Sequence, residues 1–155
     1  MDWTFALHFA LFFLAAAGAG ATGALFPPGR WYRRLGKPDW TPPDWVFPVV
    51  WTYIYIAISW AAARVAGLPG AELALALWAV QMTWNALWTP VFFGLQNPRG
   101  GMIVLAVLWL AVATCLVVFA LFEPWTLIAF APYLLWVTIA GALNLSVIRL
   151  NPAAA

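Results

Sequence analysis

Charged residues and Pro/Gly clusters divide this chain into five apolar runs, roughly residues 3–26, 45–65, 73–94, 102–122 and 125–148. At about 1.5 Å rise per residue, a helix of about 21–24 residues crosses a hydrocarbon core about 30 Å thick. Only helices fit here, because barrel strands are shorter and alternate in polarity. The remaining composition leaves no other class. Hydrophobic residues make up 66% of the 155 and charged residues 8%, too few to clothe a water-soluble surface. The twelve Trp suit a protein with many membrane–water boundaries. The expected fold is therefore an all-α membrane protein, a single five-transmembrane-helix bundle over residues 1–155. A net charge of +2 gives no basis for nucleic acid binding, and one His with one Cys gives none for a metal cluster.

The first run invites a signal-peptide reading, since "AAAGAGATGA" offers small-residue cleavage sites. Asp2 in place of a basic start, and the length of the run, argue for a retained span. With five spans, Arg30, Arg33, Arg34, Lys37, Arg99 and Arg149 share one side, and Arg64 alone lies on the other with Asp2, Glu72 and Glu123. The positive-inside rule then puts the first loop and the C-terminus in the cytosol and the N-terminus away from it. That first loop, "PPGRWYRRLGKPDWTPPDW", is the long Pro/Trp-rich connection, with five Pro, two Gly, four basic residues and three Trp. Pro prevents a regular helix throughout. The loop is either an interfacial anchor or a lid over the cytosolic mouth.

The third run carries the polar groups. Trp78, Gln81, Asn85, Trp88 and Phe92 are spaced 3, 4, 3 and 4, which places them on one helix face. Val80, Met82 and Ala86 fall opposite. An amide facing lipid would go unsatisfied, so the stripe is expected to face the bundle interior. Pro90 frees the Ala86 carbonyl one turn earlier. Run two offers Pro48, Trp51, Tyr55 and Ser59 on one side, and run five offers Pro132, Trp136, Ala140 and Asn144. Run one has small residues on every face, and run four is almost wholly aliphatic, a packing or lipid-facing helix.

Two readings compete for these faces. Amides in membrane helices commonly act as interhelical glue, typically worth about 0.6 kcal/mol. Large rings on three helices, splayed by Pro, instead enclose a hollow suited to a flat apolar ligand. No Asp, Glu, Lys or Arg lies within the runs except at their ends, which disfavours ion-coupled transport. His8 reads as an interfacial residue and Cys115 as a small hydrophobe. No nucleophile–base pair, phosphate loop or internal repeat is visible.

"WYRRLGKPDWTPP", "FPVVWTYIY" and "QMTWNALWTPVFF", followed by "PYLLW" and "ALNLSVIR", resemble the translocator protein family, also called tryptophan-rich sensory proteins or peripheral-type benzodiazepine receptors. The resemblance spans essentially the whole chain, and its compact termini fit a bacterial member. It implies a homodimer of five-helix bundles, each with a cavity open toward the cytosol beneath the first loop. It also implies binding of protoporphyrin IX and related tetrapyrroles, of sterols, and of benzodiazepine-type ligands, with no resident cofactor or metal. By position the ligand-binding residues are Trp31, Tyr32, Trp40, Trp51, Tyr55, Asn85, Trp88, Phe92, Trp136 and Ala140, with Asn144 nearby. Arg30, Arg33 and Lys37 are candidates for the propionates. Leu145 and Ser146 stand where the sterol-recognition pattern of eukaryotic members needs Tyr, which counts against tight sterol binding. The family's association is with the bacterial or mitochondrial outer membrane.

Three functions follow. The first is a tetrapyrrole-binding sensor or translocator that regulates pigment metabolism or stress responses. The second is an enzyme in which Trp51 and Trp136 support light- and oxygen-dependent breakdown of bound protoporphyrin. The third is a membrane scaffold whose aromatic faces only pack.

Overall fold

A computed structural model of the protein describes residues 3–153, and Asp2, used above for orientation, lies outside them. The described residues are all-helical, without strands. Six α-helices form: α1 (Trp3–Leu25), α2 (Arg30–Arg34), α3 (Val46–Val65), α4 (Glu72–Thr89), α5 (Pro98–Phe122) and α6 (Leu127–Leu150). The helix beyond the expected five is α2, a short turn inside the first loop between its Pro clusters. Four helical segments, α1, α3, α5 and α6 with its leading 3₁₀ turn, are long and apolar enough to cross a membrane by length and composition.

Two boundaries differ from expectation for local reasons. α5 begins at Pro98 rather than Met102, because Asn97 caps it, its Oδ1 accepting from the Gly100 N–H at 2.8 Å, and Pro98 fills the first turn where no N–H is needed. The Arg-Gly-Gly that seemed to end a loop is thus inside the helix. At Pro90 the chain neither stops nor keeps α-geometry. It widens into a π-helical turn, Pro90–Gly94, closed by the Leu95 N–H on the Pro90 carbonyl at 2.8 Å.

The long helices close into a ring in the order α1, α3, α6, α5, α4 and back to α1. Inside it sit Ile54, Ile58, Leu108, Val112, Cys115, Phe119, Phe130 and Val137, all fully or almost fully buried. The outer surface is apolar, with Leu7, Leu14, Val49, Ile103, Leu121 and Leu135 exposed as lipid-facing side chains are. α1 buries little besides Ala16 and Ala19, and it approaches α3 at Gly20, where a Cβ would lie 2.7 Å from the Tyr55 ring. α5 is a packing helix between α4 and α6. At the end away from the first loop, Arg64 makes a two-pronged bond to Glu123, at 3.0 and 2.8 Å. Unpaired positive charge is therefore concentrated at the first-loop end.

Candidate functional site

The amides of α4 do face inward. Gln81 is 0% exposed and Asn85 buried, and a hydrogen-bonded chain runs through them across three helices. The Tyr55 hydroxyl of α3 donates to Asn85 Oδ1 at 3.0 Å, Asn85 Nδ2 donates to the Tyr133 hydroxyl of α6 at 2.8 Å, and that hydroxyl donates to Gln81 Oε1 at 3.0 Å. Trp78, a turn further on, donates from Nε1 to the Ile58 carbonyl at 3.1 Å. The glue reading is thus correct for both amides. It is not the whole account, because among the described residues three buried polar atoms have no partner: Gln81 Nε2, Trp88 Nε1 and Asn144 Oδ1. Each costs about 1–3 kcal/mol if left dry, so each marks a place for a ligand atom or a water.

Two aromatic groups flank this chain. Between α3 and α6, Trp51 stacks on Tyr55 with centroids 5.4 Å apart and meets Tyr133 edge-on at 6.0 Å, while Trp136 meets Phe47 at 5.4 Å. Toward the first loop, Trp88 stacks on Phe92 at 5.1 Å. Trp31 and Tyr32 close on Phe92 from α2, at 5.9 and 6.0 Å, and Tyr32 also meets Phe93 at 5.1 Å. Trp88 packs against both groups and joins them. The rings lie against one another, so this face is a packed aromatic wall rather than an open hollow.

The first loop is a cover. Leu35 is buried with Phe92 and Val147, and the loop is tied to the far end of the chain by one side chain. Asn151 accepts from the Gly36 N–H at 2.8 Å and donates from Nδ2 to the Gly36 carbonyl at 2.9 Å and the Val147 carbonyl at 2.8 Å. Lys37 sits over the Tyr32 ring, its Nζ 4.6 Å from the centroid. Burial, and secondarily the Asp44 carboxylate, push the Tyr32 phenol above its ordinary pKa. The docked loop therefore favours the neutral phenol, and Tyr32 contributes to docking below the ordinary phenol range and stops doing so as pH rises through its elevated value. Replacing Asn151 with Ala removes the bonds holding Gly36, together worth about 1–3 kcal/mol. Amide exchange over residues 31–40 is expected to speed up roughly tenfold or more. Unchanged exchange there would mean that the clamp does not hold the cover.

The structure brings Trp31, Tyr32, Trp51, Tyr55, Asn85, Trp88, Phe92 and Trp136 into this wall and its cover. Ala140 packs at its margin. Asn144 is buried and donates to the Pro98 carbonyl at 2.9 Å, stitching α6 to the start of α5. Trp40 is separate, 52% exposed on the outer side of the loop. Of the basic candidates, Arg30 and Arg33 are exposed, and Lys37 is engaged with Tyr32 and the Leu35 carbonyl. Pro48 and Pro132, expected on the interior faces, are exposed. Pro48 lies in the first turn of α3, where it needs no kink. Met82, expected opposite the stripe, is buried.

Tyr133, the centre of the hydrogen-bonded chain, was not among the expected residues. Its signal was present: Tyr133, Trp136, Ala140 and Asn144 step by 3, 4 and 4, a better face than one counted from Pro132. Asn151 has no periodic signal, since it lies just past the helix.

An all-helical chain with an apolar exterior, and polar side chains turned inward to bond one another, is an integral multi-pass membrane protein. It belongs to the TspO/MBR family, whose profile matches residues 9–150. It is 55% identical over 148 residues to protein CrtK of Rhodobacter capsulatus, covering 93% of this chain and 92% of that one. It is 48% identical over 152 residues to the tryptophan-rich sensory protein of Cereibacter sphaeroides, covering 97% and 94%. Similarity extends to the translocator protein of Bos taurus, 32% identical over 151 residues, covering 92% and 87%.

Proposed function

We propose that this protein is a membrane sensor or translocator that binds protoporphyrin IX or a related tetrapyrrole on its interior aromatic wall. The observation that supports this is the aromatic wall of Trp51, Tyr55, Trp88 and Trp136, joined through Tyr55 and Tyr133 to a buried amide chain in which Gln81 Nε2 has no partner among the described residues. A macrocycle entering here replaces ring–ring contacts with its own faces, and offers acceptor atoms to the Gln81 Nε2 and Trp88 Nε1 donors. The cover lifts first, and Arg30, Arg33 and Lys37 on it are the candidates to meet the propionates, Lys37 after leaving Tyr32 and the Leu35 carbonyl. α4 with its π turn serves as the fifth span, its lower hydropathy due to amides turned inward. The inward-facing side of the membrane is the first-loop end, given its six basic residues. A homodimer in the bacterial outer membrane completes the reading, with sterol or benzodiazepine-type molecules as secondary ligands.

The test is a titration of the detergent-purified protein with protoporphyrin IX, followed by Trp emission. Saturable quenching at micromolar or tighter affinity, roughly −8 kcal/mol or better, is expected. A linear, non-saturating response would leave the scaffold reading, which the ring-on-ring packing of the wall favours. A second reading, photo-oxidative breakdown of the bound macrocycle, draws on the contacts of Trp51 with Tyr55 and Tyr133, which would let an oxidised Trp51 be reduced by a neighbouring phenol. Illumination with and without oxygen decides it. Equal product in protein-free controls removes it.

A further inference from the structure

Two hollows open on the outer side of α6, away from the aromatic wall. One, of about 370 Å³, is bounded by Pro38, Asp39 and Trp40 of the loop and by Ser146, Arg149 and Leu150 of α6. The other, of about 240 Å³, is an apolar groove between α5 and α6. Its floor is Gly141, where a Cβ would meet nothing within 4 Å, and its walls include Met102, Ala106 and Leu145. The two follow one another along one side of α6, since Ala142, which borders the groove, lies one turn before Ser146, which borders the hollow. Arg149 lies one turn beyond Leu145 on the same side.

The charges make this more than an uneven surface. Asp39 comes from the loop and Arg149 from α6. They border the same hollow, and neither forms an ion pair among the described residues, where Arg64–Glu123 is the single such pair. The turn closed by the Thr41 N–H on the Pro38 carbonyl at 3.0 Å presents Asp39 and Trp40 at this rim. An acid and a base that share a hollow without meeting fit a ligand carrying both opposite charges. A 240 Å³ apolar groove leading away from them into the hydrocarbon layer fits an acyl chain.

We propose that this face is a specific site for an amine-bearing zwitterionic phospholipid of the phosphatidylethanolamine type. Its phosphate bonds Arg149, its primary ammonium bonds Asp39, the glycerol region rests against Trp40, and one acyl chain lies over Gly141 between α5 and α6. Because Trp40 and Asp39 belong to the cover and Arg149 to α6, the lipid fastens the outside of the first loop to the bundle, on the side opposite the Phe92 cluster. The aromatic wall takes no part, so the site stands whether or not a tetrapyrrole binds there.

The experiment is native mass spectrometry of the purified protein with phosphatidylethanolamine, phosphatidylcholine or phosphatidylglycerol of identical acyl chains, and with cholesterol as a chain-free competitor. One phosphatidylethanolamine is expected to be retained, at least about fivefold more than either other phospholipid. The bulky trimethylammonium of phosphatidylcholine cannot donate to Asp39, and phosphatidylglycerol has no cation. Arg149→Ala should lower that retention at least about fivefold, with partial recovery in Arg149→Lys. Asp39→Asn should erase the preference over phosphatidylglycerol while keeping phospholipid binding. Gly141→Leu should lower retention of all three phospholipids by filling the groove, and Ala142→Leu replaces it if that variant fails to fold. Equal retention of the three phospholipids by the unmodified protein, or a preference that survives both Asp39→Asn and Arg149→Ala, overturns the proposal. Displacement by cholesterol at equal concentration would assign the groove to a sterol instead and overturn it as well.

Discussion

Protoporphyrin IX is expected to bind at least about tenfold more weakly when Trp51 and Trp136 are both changed to Ala. The two rings come from α3 and α6, and each lies against another ring of the wall, Trp51 on Tyr55 and Trp136 on Phe47. Stacking of a flat heterocycle on an aromatic side chain is worth about 1–3 kcal/mol per contact by analogy with nucleic-acid bases. Even the low end for two contacts exceeds the 1.4 kcal/mol that corresponds to tenfold. Fluorescence cannot report this variant pair cleanly, because it removes two emitters, so the change in the porphyrin's own absorbance band is the readout. Far-ultraviolet dichroism establishes that the helices survive. An affinity within twofold of the unmodified protein would place the ligand elsewhere, whatever else the wall does.

The largest stability effect is expected at Gly20. A Cβ there would sit 2.7 Å from the Tyr55 ring, whereas Gly18 and Gly23 have nothing within 4 Å. Gly20→Leu must push α1 from α3 or displace Tyr55, at a cost of about 1–3 kcal/mol or more. Displacing Tyr55 also breaks its bond to Asn85, so the hydrogen-bonded chain through Tyr133 and Gln81 loses its first member. The melting temperature in detergent should fall by several degrees for Gly20→Leu and remain nearly unchanged for Gly18→Leu and Gly23→Leu. Equal melting of the three variants would show that α1 does not depend on this approach.

These two experiments probe one shared arrangement, because Tyr55 is at once the neighbour of Gly20, the stacking partner of Trp51 and a donor to Asn85. A single side chain thus links the seating of α1, the amide chain and the candidate binding wall. Coupling between Gly20→Leu and ligand affinity is the consequence, whereas the two outer glycines leave affinity alone.

Much of this was legible in the residues. The stripe from Trp78 to Phe92 needed only helical periodicity and the cost of an amide in hydrocarbon, and its members are turned inward as those two facts require. The same counting misplaced Pro48 and Pro132, which were grouped with the rings by spacing although a Pro has no polar side chain demanding the interior. It passed over Tyr133 because a hydroxyl on an aromatic ring is as common at a membrane boundary as in a buried network. The start of α5 was missed because Arg-Gly-Gly resembles a turn until Asn97 is seen to cap the helix that contains it. Whether the first loop anchors at the interface or covers the bundle is open in the residues, because no local pattern decides between the two.

What the sequence determined by itself is therefore the solvent and, for the helix that carries the amides, the orientation about its own axis. Both follow from the energetic penalty of exposing polar groups to lipid, paid residue by residue and independent of distant neighbours. The tertiary structure alone decided which faces meet. It joined Asn85 to Tyr55 and Tyr133, brought the wall's rings into contact, and bound Gly36 to Asn151 across a sequence separation of 115 residues. Periodicity fixes an angle around one helix, whereas those bonds depend on the rotation and depth of several helices at once, which only their mutual packing sets.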